Sequence, residues 1–115
     1  MTPFEPPVYD VRSTPRFRAA LKRLHKKYPS ISADLQALAT VLEANPTIGN
    51  ALGQSCYKIR LAISSKGRGK SGGARVITYV VTANRRVVLL TFFDKSDREN
   101  LVPGELEELI AGEDA

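Results

Sequence analysis

Residues 56–95 constrain the fold of this chain most strongly, because their pattern is that of consecutive β-strands. The apolar residues here are mostly β-branched or aromatic, and they come in short runs bounded by Gly, Asn and Ser, which is typical of strands. We predict strands over residues 57–63, 75–82 and 86–93. The last two are nearly continuous apolar runs, which indicates that both faces of these strands are covered.

The first predicted strand alternates between apolar and polar residues and therefore has two different faces. Tyr57, Ile59 and Leu61 point one way and predict a core face, whereas Lys58 and Arg60 point the other way. Because cations are rarely buried without a partner, we expect Lys58 and Arg60 on the face of the sheet that the helices leave open.

Two amphipathic helices joined by a very short link precede these strands. Thr14 is a suitable N-cap for the first helix, and Pro15 suits its first helical position. Apolar residues recur at helical spacing and form one stripe on each helix. The stripes comprise Phe17, Leu21, Leu24 and Tyr28 in the first helix and Ile31, Leu35, Leu38 and Leu42 in the second. The short link makes the helices antiparallel neighbours whose stripes must pack on the sheet.

The connecting segments complete this predicted order. Residues 1–7 contain three prolines and predict a loose lead-in. Residues 8–12 alternate and predict a short edge strand, and residues 47–55 predict a glycine-rich connection. A hairpin turn over residues 82–85 would place Asn84 in a left-handed conformation, which asparagine tolerates.

The C-terminal part predicts two short helical pieces. Residues 96–99 have the capping-box pattern of a short helical turn. Pro103 and Gly104 lead into a last helix, whose apolar residues are Leu106, Leu109 and Ile110. We therefore predict a single α+β domain over residues 1–115, with a helical hairpin packed on one face of a small antiparallel sheet and a short C-terminal helix.

The charge of the chain is +5 and is unevenly distributed. No Asp or Glu occurs in residues 44–93, whereas the C-terminal part is acidic. The cations of this acid-free stretch are Lys58, Arg60, Lys66, Arg68, Lys70, Arg75, Arg85 and Arg86. Such a field of one sign favours a polyanionic partner such as a nucleic acid, although basic domains without such a partner are also common.

Several classes of protein are disfavoured by the sequence. Cys56 is the single cysteine, so no internal disulfide can form, and a reducing compartment is the natural setting. No apolar run is long enough to span a membrane, and the first ten residues lack the pattern of a signal peptide. We therefore expect a cytoplasmic protein with no membrane contact.

The candidate chemistry must come from cations. Gly69 and Lys70 suggest a phosphate-binding P-loop, but Ser64 stands at its first glycine position and a strand follows instead of a helix. No pair of histidines and no cluster with metal-ligand spacing is present. Lysines gathered around Arg60 and Arg75 could stabilise the phosphorane formed when RNA is cleaved through its own 2′-hydroxyl, with a lysine of lowered pKa as base.

The motif GKSGGARVITYVV followed by VVLLTFFDKSDREN resembles the RelE/ParE toxin superfamily, in its HigB/RelE-like branch. The resemblance extends over about residues 8–111 and implies the α+β fold of these toxins. It also implies a toxin of a type II toxin–antitoxin module, with a cognate antitoxin as partner and no small-molecule cofactor. Members similar to RelE cut mRNA in the ribosomal A site, whereas members similar to ParE poison DNA gyrase.

The same resemblance implies a set of site residues without a metal ligand. The implied catalytic positions are Arg60, Lys66, Lys70, Arg75 and Lys95, and the implied RNA-binding positions are Lys58, Arg68, Tyr79 and Phe93. We expect the side chains of Arg60, Arg75 and Lys95 to lie at the surface. No aromatic residue follows Phe93, so the tyrosine that stacks on a base in some relatives has no counterpart there.

Each of these positions has a structural alternative. Arg60 can pair with the acidic C-terminal helix, and the cations of residues 66–70 can be solvated loop charge. Arg75, at the start of a strand, and Lys95 can have structural roles. Tyr79 can belong to the core, because Ile77 and Val81 share its face.

We expect a ribosome-dependent mRNA endoribonuclease. The alternatives are a gyrase poison and an RNA-binding domain without enzymatic activity. Codon preference and oligomeric state do not follow from the sequence.

Overall fold

A five-stranded sheet with the order β1-β5-β4-β3-β2 forms the centre of the computed structural model, which describes residues 8–66 and 72–113. β1 runs parallel to β5, and the other neighbours are antiparallel. The strands are β1 Asp10–Ser13, β2 Asn50–Gly53, β3 Cys56–Leu61, β4 Ala74–Val81 and β5 Arg86–Asp94. The helices are α1 Pro15–His25, α2 Ile31–Ala44 and α3 Glu105–Ala111. The predicted α+β fold is confirmed.

The start of α1 couples the helix to the centre of the sheet. The Thr14 hydroxyl accepts a hydrogen bond from the Phe17 backbone N–H at 3.0 Å, which satisfies a donor of the first turn. The same hydroxyl donates to the Leu90 carbonyl oxygen at 2.9 Å. The predicted N-cap is therefore confirmed, and it also positions α1 against β5.

The main core lies between the α1–α2 hairpin and one face of the sheet. The rings of Phe17 and Phe92 are 4.7 Å apart at their centroids, and Leu42 is fully buried on α2. Ile59 and Leu61 of β3 belong to the same core, as the alternation predicts. Each such side chain contributes about 1.5–3 kcal/mol through burial. No helix of the described residues has the length and hydrophobicity needed to cross a membrane.

A smaller second core covers part of the opposite face. Leu109 of α3 is buried there against residues of the central strands, which include Ile77 and Leu90. β4 and β5 therefore have apolar residues buried on both faces, as predicted.

Cys56 belongs to this core, and burial together with the nearby Glu107 charge raises the pKa of its thiol to about 11. A thiol with such a pKa is a poor nucleophile at neutral pH.

Two local predictions on the turns are wrong. Residues 50–53 are not a simple connection but form β2, because Gly53, Gln54 and Ser55 take positive φ angles and close a tight turn onto β3. In the hairpin between β4 and β5, Arg85 rather than Asn84 is left-handed, with φ 50° and ψ 56°. Neither turn has the Asn-Gly or Asp-Gly sequence that usually reveals such a conformation.

The predicted capping box over residues 96–99 is also not formed. The backbone N–H of Ser96 donates to the Asp94 carboxylate at 3.0 Å, and the N–H groups of Asp97 and Arg98 donate to the Asp94 carbonyl oxygen. Asp94, the last residue of β5, therefore organises a single turn. This arrangement leaves the Glu99 side chain available for another partner.

Asp94 also forms a buried ion pair on the side of the helical hairpin. Its carboxylate is fully buried, and it lies 2.6 Å from Nζ of Lys66, which is 8% exposed. The Tyr28 hydroxyl donates to the same carboxylate at 2.7 Å. Burial alone would raise the pKa of Asp94, but hydrogen bonds from Lys66, Tyr28 and the Ser96 backbone outweigh it, so this pKa lies well below its usual range. The ion pair joins β5 to the segment after β3, and the Tyr28 hydroxyl joins β5 to the link between α1 and α2.

We predict that Asp94→Asn lowers the free energy of unfolding by about 3–5 kcal/mol, because it leaves the buried Lys66 ammonium without its counter-charge. Asp10→Asn is the control, since it removes an exposed ion pair with Arg12 and should cost under about 1 kcal/mol. Urea denaturation of both variants at pH 7 measures the difference.

The pH dependence of the same variants provides a second measurement. A carboxylate with a depressed pKa in the folded state stabilises the fold above its unfolded pKa of about 3.9, and the stabilisation is lost as the pH falls towards the folded pKa. The difference between wild type and Asp94→Asn should therefore be constant from pH 7 to 5 and shrink below pH 4. A difference that is small at pH 7 would contradict the role of this ion pair.

Candidate nucleic-acid interface

The register of the central strands places the predicted cations of β3 and β4 on one face of the sheet. Arg60 is directly opposite Arg75, and Arg75 is opposite Phe93 on β5. Lys58 is opposite Ile77, which belongs to the second core. Lys58, Arg60 and Arg75 thus share the face that the α1–α2 hairpin does not cover.

Arg75 differs from the expectation of a surface side chain, because it is only 1% exposed. Its Nη2 donates to Oε1 of Glu99 at 3.2 Å, and its Nη1 donates to the Ala74 carbonyl oxygen at 3.1 Å. Its Nε lies 2.8 Å from Oε2 of Glu99, an ionic contact at an angle outside that of a hydrogen bond. The predicted surface position of the Arg75 side chain is wrong. Its strand lies between β3 and β5, and the chain after β5 folds back over its guanidinium.

Glu99 is the acid that pairs with Arg75 on this face. The hydrogen bond from Arg75 lowers the pKa of Glu99, partial burial opposes this, and the charges of Lys58 and Lys95 lower it further. Glu99 is therefore ionised at neutral pH. We call Lys58, Arg60, Arg75, Lys95 and Glu99 the sheet-face cluster.

The segment after β5 also contacts this cluster through Asn100. Its Oδ1 accepts a hydrogen bond from Nζ of Lys58 at 2.5 Å, which fixes the lysine near Glu99. Arg60 and Lys95 are exposed, so both can reach a bound anion. The ion pair of Arg60 with the C-terminal helix, considered above as an alternative, does not occur among the described residues.

Lys66 is not part of the sheet-face cluster. Its ammonium is bound to Asp94 and to the Ser96 hydroxyl at 2.9 Å, and it lies 5.5 Å from the centroid of the Tyr28 ring. Because Asp94 and Phe93 are consecutive in β5, their side chains point to opposite faces. The structure therefore separates Lys66 from Arg60 and Arg75. Lys70 and Arg68 lie outside the described residues.

The two aromatic residues predicted to contact RNA are packed against protein. Phe93 is 4% exposed, and the Arg98 guanidinium carbon lies 4.3 Å from its ring centroid. Two hydrogen bonds from Arg98 to Glu105, of 2.6 and 2.8 Å, hold the guanidinium there. Tyr79 is half-buried against the second core. In this arrangement a base could stack on Phe93 only after Arg98 moved.

Sequence reasoning missed the roles of Arg98, Glu99 and Asn100. All three lie in the DREN run just after the predicted site residue Lys95. The interpretation of Glu99 as part of a capping box hid its contact with Arg75. The signal that could have revealed it is the need of a buried arginine for a carboxylate partner.

The sheet-face cluster can bind an anion without any further group. Arg60 offers a planar fork of donors and Lys95 an ammonium, and both suit phosphate oxygens. Ionised Glu99 can accept a proton. Among residues 8–66 and 72–113, no group of three or more His, Cys, Asp or Glu side chains could hold a metal ion.

We predict that two arginines opposite each other in the sheet have different effects on stability. Arg75→Ala should lower the free energy of unfolding by about 3 kcal/mol, because it empties a buried site and removes the partner of Glu99. Arg60→Ala should change it by less than about 0.5 kcal/mol, because Arg60 is exposed. Denaturant unfolding measures both, and equal effects would contradict the burial of Arg75.

Comparison with known proteins shows a match between this chain and a protein family. The model of the family described as RelE toxin of the RelE / RelB toxin-antitoxin system matches residues 18–112. A similar solved structure is that of E. coli toxin RelE in the free state, with two arginines replaced by alanine. It has a TM-score of 0.55 at 20% identity, covering 90% of this chain and 92% of that one.

A second similar structure is the toxin–antitoxin complex RelBE2 from Mycobacterium tuberculosis. Its TM-score is 0.56 at 21% identity, with 78% of this chain and 94% of that chain covered. At 20% and 21% identity, the two structures support only the similarity of the fold. Membership in the family rests on the match to the family model. The match covers most of the chain and includes the strands that form the sheet-face cluster. We conclude that this chain belongs to the RelE toxin family of toxin–antitoxin modules.

Proposed function

We propose that this toxin is an endoribonuclease that cleaves mRNA on the ribosome through the 2′-hydroxyl of the RNA. The observation that supports this most directly is the sheet-face cluster, where the exposed Lys95 acts on the ionised Glu99 and the exposed Arg60 lies opposite Arg75, the partner of Glu99. Both strands that supply its arginines fall within the region matched by the RelE family.

The cluster suits the charge that develops in this reaction. Attack of the 2′-oxygen on phosphorus gives a phosphorane whose added negative charge is stabilised by donors already in position. Arg60 binds phosphate oxygens through its fork, and Lys58 and Lys95 add positive charge at the same face. Lys66 is bound to the buried Asp94, so we assign it a structural role here.

Dependence on the ribosome fits the small number of acid–base groups on this face. Free RNA would be attracted mainly by charge, which does not align the 2′-oxygen with the scissile bond. An mRNA fixed in the A site would already have a defined conformation, so the toxin would need to add only charge and proton transfer. The cytoplasm, where ribosomes are, is the compartment consistent with this function.

We also propose a cognate antitoxin as partner, because the RelE toxin family is described with RelB and the similar RelBE2 structure is a toxin–antitoxin complex. The cations of the sheet-face cluster favour an acidic or amphipathic segment that folds on binding and covers this face. Charge attraction would speed this association.

We predict that primer extension on total RNA after induction of the toxin shows cuts in phase with codons. Arg60→Ala and Lys95→Ala should each reduce the cuts at least about tenfold, because each substitution removes a positive charge that stabilises the negatively charged phosphorane. Lys22→Ala, an exposed cation on α1, is the matched control and should cut as wild type does. Co-expression of the cognate antitoxin should abolish the cuts, because the antitoxin is expected to cover the sheet-face cluster.

Other outcomes of this experiment identify the alternatives. Covalent complexes of gyrase with DNA, without cuts in mRNA, would support a gyrase poison. Binding of RNA with neither effect would support an RNA-binding domain without activity. Cuts that persist in Arg60→Ala and Lys95→Ala at equal expression would exclude the sheet-face cluster as the site.

A further inference from the structure

Glu99 is unexpected in a cluster that is proposed to bind phosphate. It lies against Arg75 and is influenced by the charges of Lys58 and Lys95. An ionised carboxylate in this position repels the RNA backbone and lowers affinity. If the cations served only to bind RNA, the site would bind better without this acid.

The geometry gives Arg75 and Glu99 different roles. Arg75 is 1% exposed, so its guanidinium cannot reach a ligand in this arrangement, whereas the Glu99 side chain is 39% exposed. Two guanidinium nitrogens of Arg75 contact the two carboxylate oxygens of Glu99. Oε2 of Glu99 is buried, and Oε1 accepts the hydrogen bond from Nη2 of Arg75. A buried arginine thus orients the carboxylate of a partly exposed glutamate.

We propose that Glu99 is the general base of RNA cleavage and that Arg75 is the residue that positions it. This inference rests on the proposed function and names the group that accepts the proton. It replaces the lysine base expected from the sequence, because Lys66 is committed to Asp94 on the other side of the sheet. A carboxylate can accept a proton at neutral pH, whereas a lysine must first lose one.

The proposed cleavage transfers one proton to Glu99 and one proton from Lys95. Glu99 takes the proton of the 2′-hydroxyl, and the 2′-oxygen forms a bond to phosphorus. The bond between phosphorus and the 5′-oxygen breaks, which leaves a 2′,3′-cyclic phosphate on the upstream fragment. The departing 5′-oxygen takes a proton from the Lys95 ammonium, since an arginine does not release its proton. Water then carries the proton from Glu99 back to Lys95.

The arriving substrate also improves Glu99 as a base. The cations around Glu99 hold its pKa below the usual value in the free protein. A bound phosphate brings a negative charge beside the carboxylate, and a like charge raises the pKa of an acid. The carboxylate therefore becomes more basic when the scissile phosphate is in place.

The test uses the full chain on ribosomes programmed with a defined mRNA, with cleavage followed in a single turnover. Glu99→Gln should reduce the cleavage rate constant at least about 100-fold, the usual contribution of a general base. Its affinity for the programmed ribosome should be unchanged or higher, because a negative charge is removed. Glu99→Asp should recover part of the rate. Glu43→Gln, an exposed glutamate on α2, is the matched control and should be as active as wild type.

The outcomes separate this inference from the proposed function. A Glu99→Gln variant that cuts as fast as wild type, or faster, would overturn the role of Glu99 as base while leaving the nuclease function intact. A faster variant would mean that Glu99 only screens the cations. Absence of any cut by the wild-type toxin on programmed ribosomes would overturn both.

The positioning role of Arg75 is tested in the same assay. Arg75→Lys keeps the charge but cannot contact both oxygens of Glu99 as the guanidinium does. It should lower the rate constant at saturating ribosomes at least about tenfold, with the concentration for half-maximal rate little changed. If Arg75→Lys raises only the ribosome concentration for half-maximal rate and leaves the saturating rate constant unchanged, Arg75 acts in substrate binding, and its positioning role is overturned.

Discussion

The ion pair between Arg75 and Glu99 determines how the candidate site is assembled. Arg75 lies on β4, a central strand with β3 and β5 as neighbours, and its guanidinium is almost fully buried. A buried guanidinium without a counter-charge would cost several kcal/mol. The chain after β5 supplies this counter-charge by folding back across the sheet. In doing so it brings Asn100 into contact with Lys58, so one buried charge helps to set the composition of the exposed surface.

A second buried ion pair anchors the same end of β5 on the opposite face. Asp94 binds Lys66 and the Tyr28 hydroxyl beneath the helical hairpin, while Arg75 and Glu99 meet on the other side of the sheet. Because successive residues of a strand alternate between faces, Lys66 and Arg75 form their ion pairs on opposite sides of the sheet. On the side of Arg75, the exposed Arg60 and Lys95 remain accessible to an anion.

The regular elements could be predicted from the sequence because their periodicity is strong. The stripes of α1 and α2 and the apolar runs of β4 and β5 give the correct fold, and Thr14 gives the correct helix start. The tight turns could not be predicted, because Gln54, Ser55 and Arg85 adopt left-handed conformations that their residue types rarely favour. There the tertiary structure overrides local preference.

The candidate site was predictable only in part for a different reason. Alternation correctly placed Lys58 and Arg60 on the face away from the helical hairpin. The partners of a charge depend on contacts that are distant in the chain, such as Lys66 with Asp94 and Arg75 with Glu99. No periodicity reveals these contacts, so the ion pairs of Lys66 and Arg75 could not be predicted from the sequence.

The most direct test of this account is a structure of the toxin on a ribosome with an A-site codon whose 2′-hydroxyl groups are replaced by hydrogen, which prevents cleavage. The account predicts the scissile phosphate against Arg60 and Lys95, with the Glu99 carboxylate within about 4 Å of the 2′ position, a distance suited to proton transfer once the hydroxyl is present. A phosphate bound on the face of the helical hairpin, or a Glu99 turned away from the RNA, would contradict it.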